Sequence, residues 1–245
     1  MTMIRFVFVT MLSLVFCSTS FAWQDPTEGK SFFPWLWEDQ VKPTIVESAD
    51  KTGLGIFLAG SVATAVSHTQ DDKVHEYSLR HDMMSDDWER FGGFLASGGP
   101  GIVLAVSQLW WDQPAGLQLG RAILLTSVTH ITIAESVNRT RPAGNRGLSF
   151  PSGHSSTAFA TATSLAYSYG PWIGIPAYGL ATFVAASRVS QEVHWLSDVV
   201  AGAVIGIYWG RASSLTTQRK EMKTTTMIYP VPIDGGALVN FAMEF

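Results

Sequence analysis

Long uncharged stretches alternate with short charged ones along this chain, and their Gly- and Ala-rich apolar composition predicts helices. The uncharged stretches are residues 53–67, 91–111, 122–134, 155–187 and 199–210. We expect Gly170, Pro171 and Pro176 to divide the fourth stretch into two helices, and Arg211 to end the last. The charged residues 71–90 are predicted to form a polar connection with one or two helical turns. The pattern therefore predicts an all-α helical bundle.

The N-terminal residues 1–22 have the three parts of a secretory signal peptide. One positive charge, Arg5, precedes an apolar run over residues 6–16, and the small residues Ser20 and Ala22 suit a cleavage site. We therefore predict an exported protein whose helical domain occupies residues 23–226. An uncleaved N-terminal anchor is the alternative.

Residues 227–245 change character and predict a short C-terminal β-hairpin. A turn signal, Asp234-Gly235-Gly236, precedes apolar residues that alternate with their neighbours. The alternating residues are Ala237, Val239, Phe241, Met243 and Phe245. The favoured interpretation is a hairpin packed on the bundle. A strand of outer-membrane-barrel type and a structural role in the envelope are the alternatives.

Composition narrows the class of protein further. The chain has 245 residues, with 16 Lys+Arg against 20 Asp+Glu, so it has no basic excess for binding nucleic acid. Its single cysteine, Cys17, excludes a disulfide scaffold and a thiolate zinc site. The three histidines within and beside residues 71–82 have no recognisable ligand spacing, so this acidic run is predicted to be a solvated loop. No metal site and no cofactor is predicted.

The charged fraction of 15%, against about 25% in soluble domains, favours a membrane-associated protein. The aromatic cluster 31–37 suits a membrane interface or a buried N-terminal clamp. A span needs about 20 apolar residues, a length that only 91–111 and the halves of 155–187 approach. The mean hydropathy of +0.17 is modest. An integral bundle and a small-residue-rich soluble or attached bundle both remain possible.

Three clusters between residues 139 and 198 carry the candidate chemistry. They are RTRP at 139–142, FPSGHS at 150–155, and SRVSQEVHWLSD at 187–198. Each alone has an ordinary structural explanation, as a helix end, a turn before a capped helix, or a surface His–Asp pair. Together they indicate a site for a phosphate dianion.

Each cluster supplies a different part of that site. The guanidinium groups of Arg141 and Arg188 match phosphoryl oxygens. Pro151 suits a helix start, which would leave the amides of Ser152, Gly153 and His154 free to bind an anion. His194 and Asp198 are four residues apart, so on a helix Asp198 would hold one imidazole nitrogen and raise the basicity of the other. His194 is then the candidate nucleophile, and His154 a candidate general acid.

In this order, RTRP, PSGH and SR-x5-H-x3-D resemble the signature of the type 2 phosphatidic acid phosphatase (PAP2) superfamily, which includes bacterial acid phosphatases and vanadium haloperoxidases. The resemblance implies a helical, metal-independent phosphomonoesterase that works through a phosphohistidine. It implies that His194 attacks phosphorus and Asp198 orients it. It also implies that His154 protonates the leaving group, while the phosphate oxygens are held by Arg141, Arg188, Ser152 and Gly153.

The chain departs from this pattern at one position. The family's first motif begins with a lysine seven residues before Arg141, where this chain has Ala134 followed by Glu135. Either Arg139 turns inward to supply the missing charge, or the phosphate pocket is weaker. His130, in the same apolar helix, is predicted to be a core residue.

Several substrates fit the resemblance. A lipid phosphatase, favoured by the uncharged helices, would act on phosphatidate, phosphatidylglycerol phosphate, an isoprenoid pyrophosphate or lipid A phosphate. A soluble periplasmic acid phosphatase of broad specificity is the alternative. A vanadium haloperoxidase and an inactive structural protein have less support. We expect a phosphate-bearing lipid or small molecule as partner, a periplasm-facing site and membrane association.

Overall fold

The computed structural model describes residues 25–81, 83–95, 97–144, 147–224, 226–233 and 236–243, and from residue 223 onward only the backbone. The predicted signal peptide therefore lies outside the described residues. The first helical segment runs through α1 (Phe32–Pro34), a π-helical stretch (Trp35–Val41) and α2 (Lys42–Ser48). The further elements are α3 (Lys51–His68), α4 (Asp71–Arg80), α5 (Asp86–Leu95), α6 (Gly99–Trp111), α7 (Gln113–Val137), α8 (Gly153–Tyr169), α9 (Pro171–Ser190), α10 (Leu196–Thr224), β1 (Thr226–Ile233) and β2 (Gly236–Met243).

The α-helical bundle is confirmed, and its centre is the pair α8 and α10. Helices α3 and α7 pack against α10, and α9 packs against α8. Three glycines at four-residue spacing, Gly202, Gly206 and Gly210, face α8. A Cβ on Gly206 would collide with the carbonyl oxygen of Ser156, and one on Gly210 would lie 2.7 Å from Thr163 Cβ. These glycines let the two backbones approach closely, which fixes the start of α10 against the start of α8.

The uncharged stretches 122–134 and 199–210 predicted a helix beginning after Arg121 and a helix ending before Arg211, but both helices continue through these arginines. Helix α7 continues through Arg121, which is 5% exposed and donates to Gln40 Oε1 (2.6 Å), the Ser213 carbonyl oxygen (3.0 Å) and Thr217. Helix α10 continues through Arg211, whose guanidinium forms a bidentate pair with Asp50 at 2.7 and 2.8 Å. The predicted ends were wrong because a partner elsewhere in the fold accepts each charge.

The predicted break at Gly170-Pro171 divides the stretch 155–187, and the one at Pro176 is not found. Gly170, with φ of 76°, separates α8 from α9. Pro176 lies inside α9 and does not interrupt it, so the predicted break at that residue was wrong. The charged residues 71–90 are also more regular than expected, because they form α4 and the first part of α5.

The expected C-terminal hairpin is present in the backbone. Strands β1 and β2 pair antiparallel, from Thr226 opposite Met243 to Ile233 opposite Gly236. Asp234 and Gly235 of the expected turn lie outside the described residues.

Among the described residues, α7 alone is long and apolar enough to cross a membrane as one helix, with 44% of its most apolar window buried in the protein. Helices α5 and α6 would add a second span only as a pair bent by 41°. Many apolar side chains are nevertheless exposed. On α3 they include Phe57 (57%), Leu58 (65%) and Val62 (64%), and on α9 Trp172 (87%) and Ile175 (71%).

Candidate active site

Residues from all three sequence clusters meet at a cavity of about 390 Å³. Arg141 comes from the first cluster, and Pro151, Gly153 and His154 come from the second. His194 comes from the third. The remaining lining residues are Ser97, Gly98 and Ile102 near the start of α6, Leu148, Thr157 of α8, and Ile123, Ser127, His130, Ile131, Ala134 and Glu135 of α7. The bundle therefore brings two histidines and an arginine from distant parts of the chain to one opening.

Helix α8 begins at Gly153, two residues later than the position of Pro151 suggests. Ser152 is the N-cap, and its Oγ accepts a hydrogen bond from the amide of Ser155 at 3.3 Å. The amide of Ser152 donates to the carbonyl oxygen of Asp198 at 2.9 Å, so it is not free for an anion as predicted. Gly153 and His154 are the first helical residues, and both line the cavity. Anion binding at this helix end therefore falls to these two residues.

His194 is held by a backbone carbonyl. Its Nδ1 lies 2.7 Å from the carbonyl oxygen of Ser149, and the side chain is 3% exposed. A carbonyl can only accept, so Nδ1 carries the proton and Nε2 keeps its lone pair. Asp198 Oδ2 lies 3.8 Å from Nδ1, beyond hydrogen-bonding distance. The expected direct His194–Asp198 bond is therefore absent, because His194 precedes α10 and the two residues do not share a helical face.

Asp198 instead stabilises the segments around His194. Its Oδ2 accepts from Ser149 Oγ at 2.5 Å and from the amide of Trp195 at 2.9 Å. Ser149 thus donates its hydroxyl to Asp198 while its carbonyl oxygen accepts from His194. Asp198 orients His194 through this intermediate residue.

Arg139 is not among the residues that line the cavity, and it contacts the carboxylates near His194. Its Nη1 donates to Asp198 Oδ1 at 2.7 Å, and its Nη2 donates to Asp71 Oδ2 at 2.8 Å. The guanidinium also lies over the ring of Trp195, 5.1 Å from its centroid. Two carboxylates satisfy this cation, so the expectation that Arg139 supplies charge to the phosphate is revised. It binds the groups that hold His194.

Asp71 belongs to the same network, although the sequence predicted it in a solvated loop. It is 3% exposed and accepts from the amide and hydroxyl of Ser197 at 2.8 and 2.6 Å. Burial alone would raise the pKa of Asp71, but the hydrogen bonds from Ser197 and Arg139 outweigh it and hold the pKa below its usual value. No motif marked this residue, because its role depends on packing between α4 and α10.

The two arginines expected to bind phosphate have different surroundings. Arg141 lines the cavity, and its buried Nε has no hydrogen-bond acceptor among the residues that the structure describes. Arg188 is 4% exposed and donates from Nη1 to Gln191 Oε1 at 2.7 Å and from Nη2 to the Glu89 carbonyl oxygen. It is held against α5 behind the cavity lining. Arg141 is therefore the arginine available to an anion in this arrangement.

His154 lies beside His194, with ring centroids 6.0 Å apart. Burial is the main cause that lowers the pKa of His154 to about 4, and the positive charges of Arg188 and Arg141 act in the same direction. The ring is therefore neutral at neutral pH while the cavity is empty. An anion between these groups would raise that pKa, because it removes the repulsion.

Helix α7 forms the opposite side of the cavity. Ala134, at the family's lysine position, is 7% exposed and lines the cavity next to Glu135. One turn earlier, His130 also lines it. A Cβ on Gly153 would lie 2.6 Å from His130 Nε2, so the imidazole reaches the start of α8. The prediction that His130 is a core residue was wrong. Its four-residue spacing from Ala134 was the signal for a shared face.

The fold and site define a helical-bundle protein with a cavity for an anion between two histidines and an arginine. Comparison with known families agrees, since residues 127–222 match a model described as the PAP2 superfamily. The matched segment contains the three clusters and most of the cavity, so the resemblance read from the sequence is confirmed for this part of the chain.

Two curated relatives match part of the chain. The lipid A 1-phosphatase of Porphyromonas gingivalis is 45% identical over 78 residues, which are 31% of this chain and 18% of that protein. The lipid A 4'-phosphatase of Helicobacter pylori is 34% identical over 90 residues, which are 37% of this chain and 43% of that protein. The match thus spans less than half the length of each relative.

Solved structures share the fold. LpxE of Aquifex aeolicus superposes with a TM-score of 0.51 at 27% identity, covering 55% of this chain and 90% of that one. A transmembrane PAP2-type phosphatidylglycerolphosphate phosphatase from Bacillus subtilis gives a TM-score of 0.54 at 20% identity, covering 69% and 95%. The second similarity concerns the fold alone.

Proposed function

We propose that this protein is a phosphatase that hydrolyses lipid phosphomonoesters through a phosphohistidine intermediate and needs no metal ion or other cofactor. The observation that carries the proposal is the convergence of Arg141, the first residues of α8, His154 and His194 on one cavity. A phosphoryl group there meets a nucleophile, an acid and fixed positive charge together.

In the first step, Nε2 of His194 attacks phosphorus. The Ser149 carbonyl holds the proton on Nδ1, so the attacking lone pair faces away from that bond. A P–N bond forms while the P–O bond to the leaving group breaks. Protonated His154 gives its proton to the leaving alkoxide, which departs as the alcohol.

In the second step, water attacks the phosphohistidine. His154, now neutral, takes a proton from the water as the O–P bond forms and the P–N bond breaks. Inorganic phosphate leaves, and both histidines return to their starting protonation. His154 can serve in both steps because the substrate dianion raises its pKa from about 4.

Positive charge stabilises both transition states. The unpartnered Nε of Arg141 and the amides of Gly153 and His154 are the donors available to the phosphoryl oxygens. Arg188 contributes its charge from behind the cavity, and it would have to exchange its contact with the Glu89 carbonyl to bind phosphate directly. Ser152 acts as the N-cap that fixes this helix end.

Two observations support a lipid substrate at a membrane. The curated relatives that match part of this chain are lipid A phosphatases, so a lipid A phosphate heads the candidate substrates, before phosphatidate, phosphatidylglycerol phosphate and isoprenoid pyrophosphate. Exposed apolar side chains on α3 and α9 suit contact with lipid. With the predicted signal peptide, this favours an exported protein attached to a membrane, with its site facing the periplasm.

The decisive experiment measures phosphate release in EDTA by the full chain, the variant His194→Ala and the matched control His81→Ala. His81 stacks on Tyr77, outside the cavity. We expect release by wild type and control, and loss of at least about a thousandfold in His194→Ala, because no nucleophile remains. Acid-labile, base-stable phosphate on the wild-type protein after rapid alkaline quench would identify the intermediate. Full activity of His194→Ala in EDTA would overturn the proposal.

A soluble acid phosphatase of broad specificity is the second candidate. The presence of only one helix of spanning length and hydropathy among the described residues favours it. A panel of lipid A, short-chain phosphatidate and an aryl phosphate separates the two, as does flotation of the protein with liposomes. Preference for the aryl phosphate without flotation would favour the soluble enzyme. No release from any substrate would instead favour a structural envelope role.

A further inference from the structure

A third histidine belongs to the same cavity and is not used by the mechanism above. His130 of α7 is half-buried and lines the cavity with Arg141, His154 and His194. Its Nε2 approaches Gly153 closely enough that a Cβ there would lie 2.6 Å away. Only glycine at residue 153 leaves room for this imidazole beside the first amides of α8.

The other ring nitrogen of His130 has a partner. Nδ1 lies 3.2 Å from the carbonyl oxygen of Thr126, which can only accept, so Nδ1 carries a proton. Nε2 is then the atom left for the cavity. Burial lowers the pKa of His130, and a bound dianion would raise it again, so the imidazolium would present an N–H to that dianion.

We propose that His130 is a phosphate-binding residue, whose Nε2–H donates to a non-bridging phosphoryl oxygen at the start of α8. This inference rests on the proposed function, because it concerns the same cavity. It adds a charged donor from α7 opposite Arg141. The acidic Glu135 also lines that side of the cavity, so without a protonated His130 the α7 side would carry net negative charge.

The geometry of α7 explains why histidine suits this position. Side chains on a helix lean toward its N-terminus, so a long side chain at residue 134 would extend over the turn that contains residue 130. Ala134 leaves that space open. His130 therefore places a cation where a lysine at residue 134 would place its ammonium group.

The experiment compares the wild type, His130→Leu, His130→Gln and the double variant His130→Leu/Ala134→Lys, with His81→Leu as the matched control. Calorimetry measures the Kd for inorganic phosphate, which requires no turnover. Kinetics measures KM and kcat for an aryl phosphate in EDTA. Thermal unfolding reports whether each variant is folded.

We expect His130→Leu to raise the phosphate Kd and KM at least about tenfold, with His130→Gln between it and the wild type. The lysine of the double variant should restore both constants to within about threefold, because it returns a cation to the same place. A folded His130→Leu with unchanged Kd, or a raised Kd that the lysine does not restore, would overturn the inference. If His130→Leu does not fold, the phosphate Kd values of His130→Gln and of the double variant test the inference instead.

The calorimetric result separates this inference from the proposed function. A protein that releases no phosphate from any substrate, but binds inorganic phosphate through His130, would retain the inference while the enzymatic proposal fails. A protein whose activity depends on His194, but whose phosphate Kd is unchanged in His130→Leu, would retain the enzymatic proposal and overturn the inference.

Discussion

Replacing Arg139 by glutamine tests whether its positive charge stabilises the hydrogen bonds of Asp71 and Asp198 near His194. Arg139 contacts Asp198 Oδ1 at 2.7 Å and Asp71 Oδ2 at 2.8 Å, and both carboxylates are at most 3% exposed. Glutamine keeps a donor but removes the positive charge. Two buried carboxylates then lose the guanidinium that they share.

The expected cost follows from that burial. Removing one partner of a buried ion pair costs about 3–5 kcal/mol, since the remaining charge is left uncompensated. The Arg139 side chain is 21% exposed, so water recovers part of this, and glutamine keeps one hydrogen bond. We expect Arg139→Gln to lower the free energy of unfolding by about 3 kcal/mol at pH 7.

The cost should depend on pH. The pKa of Asp71 is held below its ordinary value of 3.8, so this carboxylate contributes stability that is present above that pH and lost as the pH falls through its folded pKa. Arg139 is one cause of the lowering, so the variant loses this contribution. The difference between wild type and variant is therefore largest near neutrality and shrinks in acid.

Denaturant unfolding at pH 7 and about pH 2.5 measures both effects, because the contribution is lost below the unfolded pKa. Phosphate release in EDTA reports the site. We expect kcat to fall at least about tenfold, because Asp198 and Ser149 no longer hold His194 as firmly. The matched control is Arg211→Gln, which breaks a bidentate pair with the exposed Asp50 and should change stability little. Equal destabilisation by the two variants, or a cost for Arg139→Gln that grows in acid, would refute this reasoning.

Four further outcomes are expected. Gly206→Ala should destabilise the fold by about 2 kcal/mol, because its Cβ collides with the Ser156 carbonyl between α10 and α8. Unfolding measurements should show Gly179→Ala neutral or stabilising by up to about 1 kcal/mol, since that helical glycine has nothing within 4 Å. Glu135→Gln should lower KM for a dianionic substrate several-fold in steady-state assays, because it removes negative charge from the cavity. The pKa of His154, about 4 in the empty site, should rise when inorganic phosphate is added during an NMR titration.

Each of these has a control and an opposing result. Equal effects of Gly206→Ala and Gly179→Ala on stability would show that the contact between α10 and α8 does not cause the destabilisation. For Glu135, the control is Glu76→Gln on the exposed face of α4, and an equal change in KM there would point to long-range charge alone. For His154, the variant His154→Gln assigns the resonance. An unchanged His154 pKa in the presence of bound phosphate would show that the anion binds outside this cavity.

The residues that the sequence singles out do meet in the fold. Arg141, Gly153, His154 and His194 belong to motifs whose spacing and residue types already indicated phosphate chemistry, and all four line one cavity. The helices were also predictable, because long uncharged stretches rich in small residues have few other stable arrangements. These predictions were possible because helix propensity and anion recognition depend on residues that are close together in the sequence.

Contacts between distant segments decided the rest. Whether Arg211 ends a helix depends on Asp50, and whether Arg139 reaches the phosphate depends on Asp71 and Asp198. The carbonyl that holds His194 comes from Ser149.

The sequence by itself determined the helical class, the set of reactive side chains and the family signature, because these follow from residue types and short spacings. Only the tertiary structure decided which cation faces the cavity and which is buried behind it. Charge pairing and desolvation act through space, so the partner of a charged group is fixed by packing. His130 illustrates the difference, because an imidazole in an apolar helix becomes a candidate ligand only when Gly153 is brought beside it.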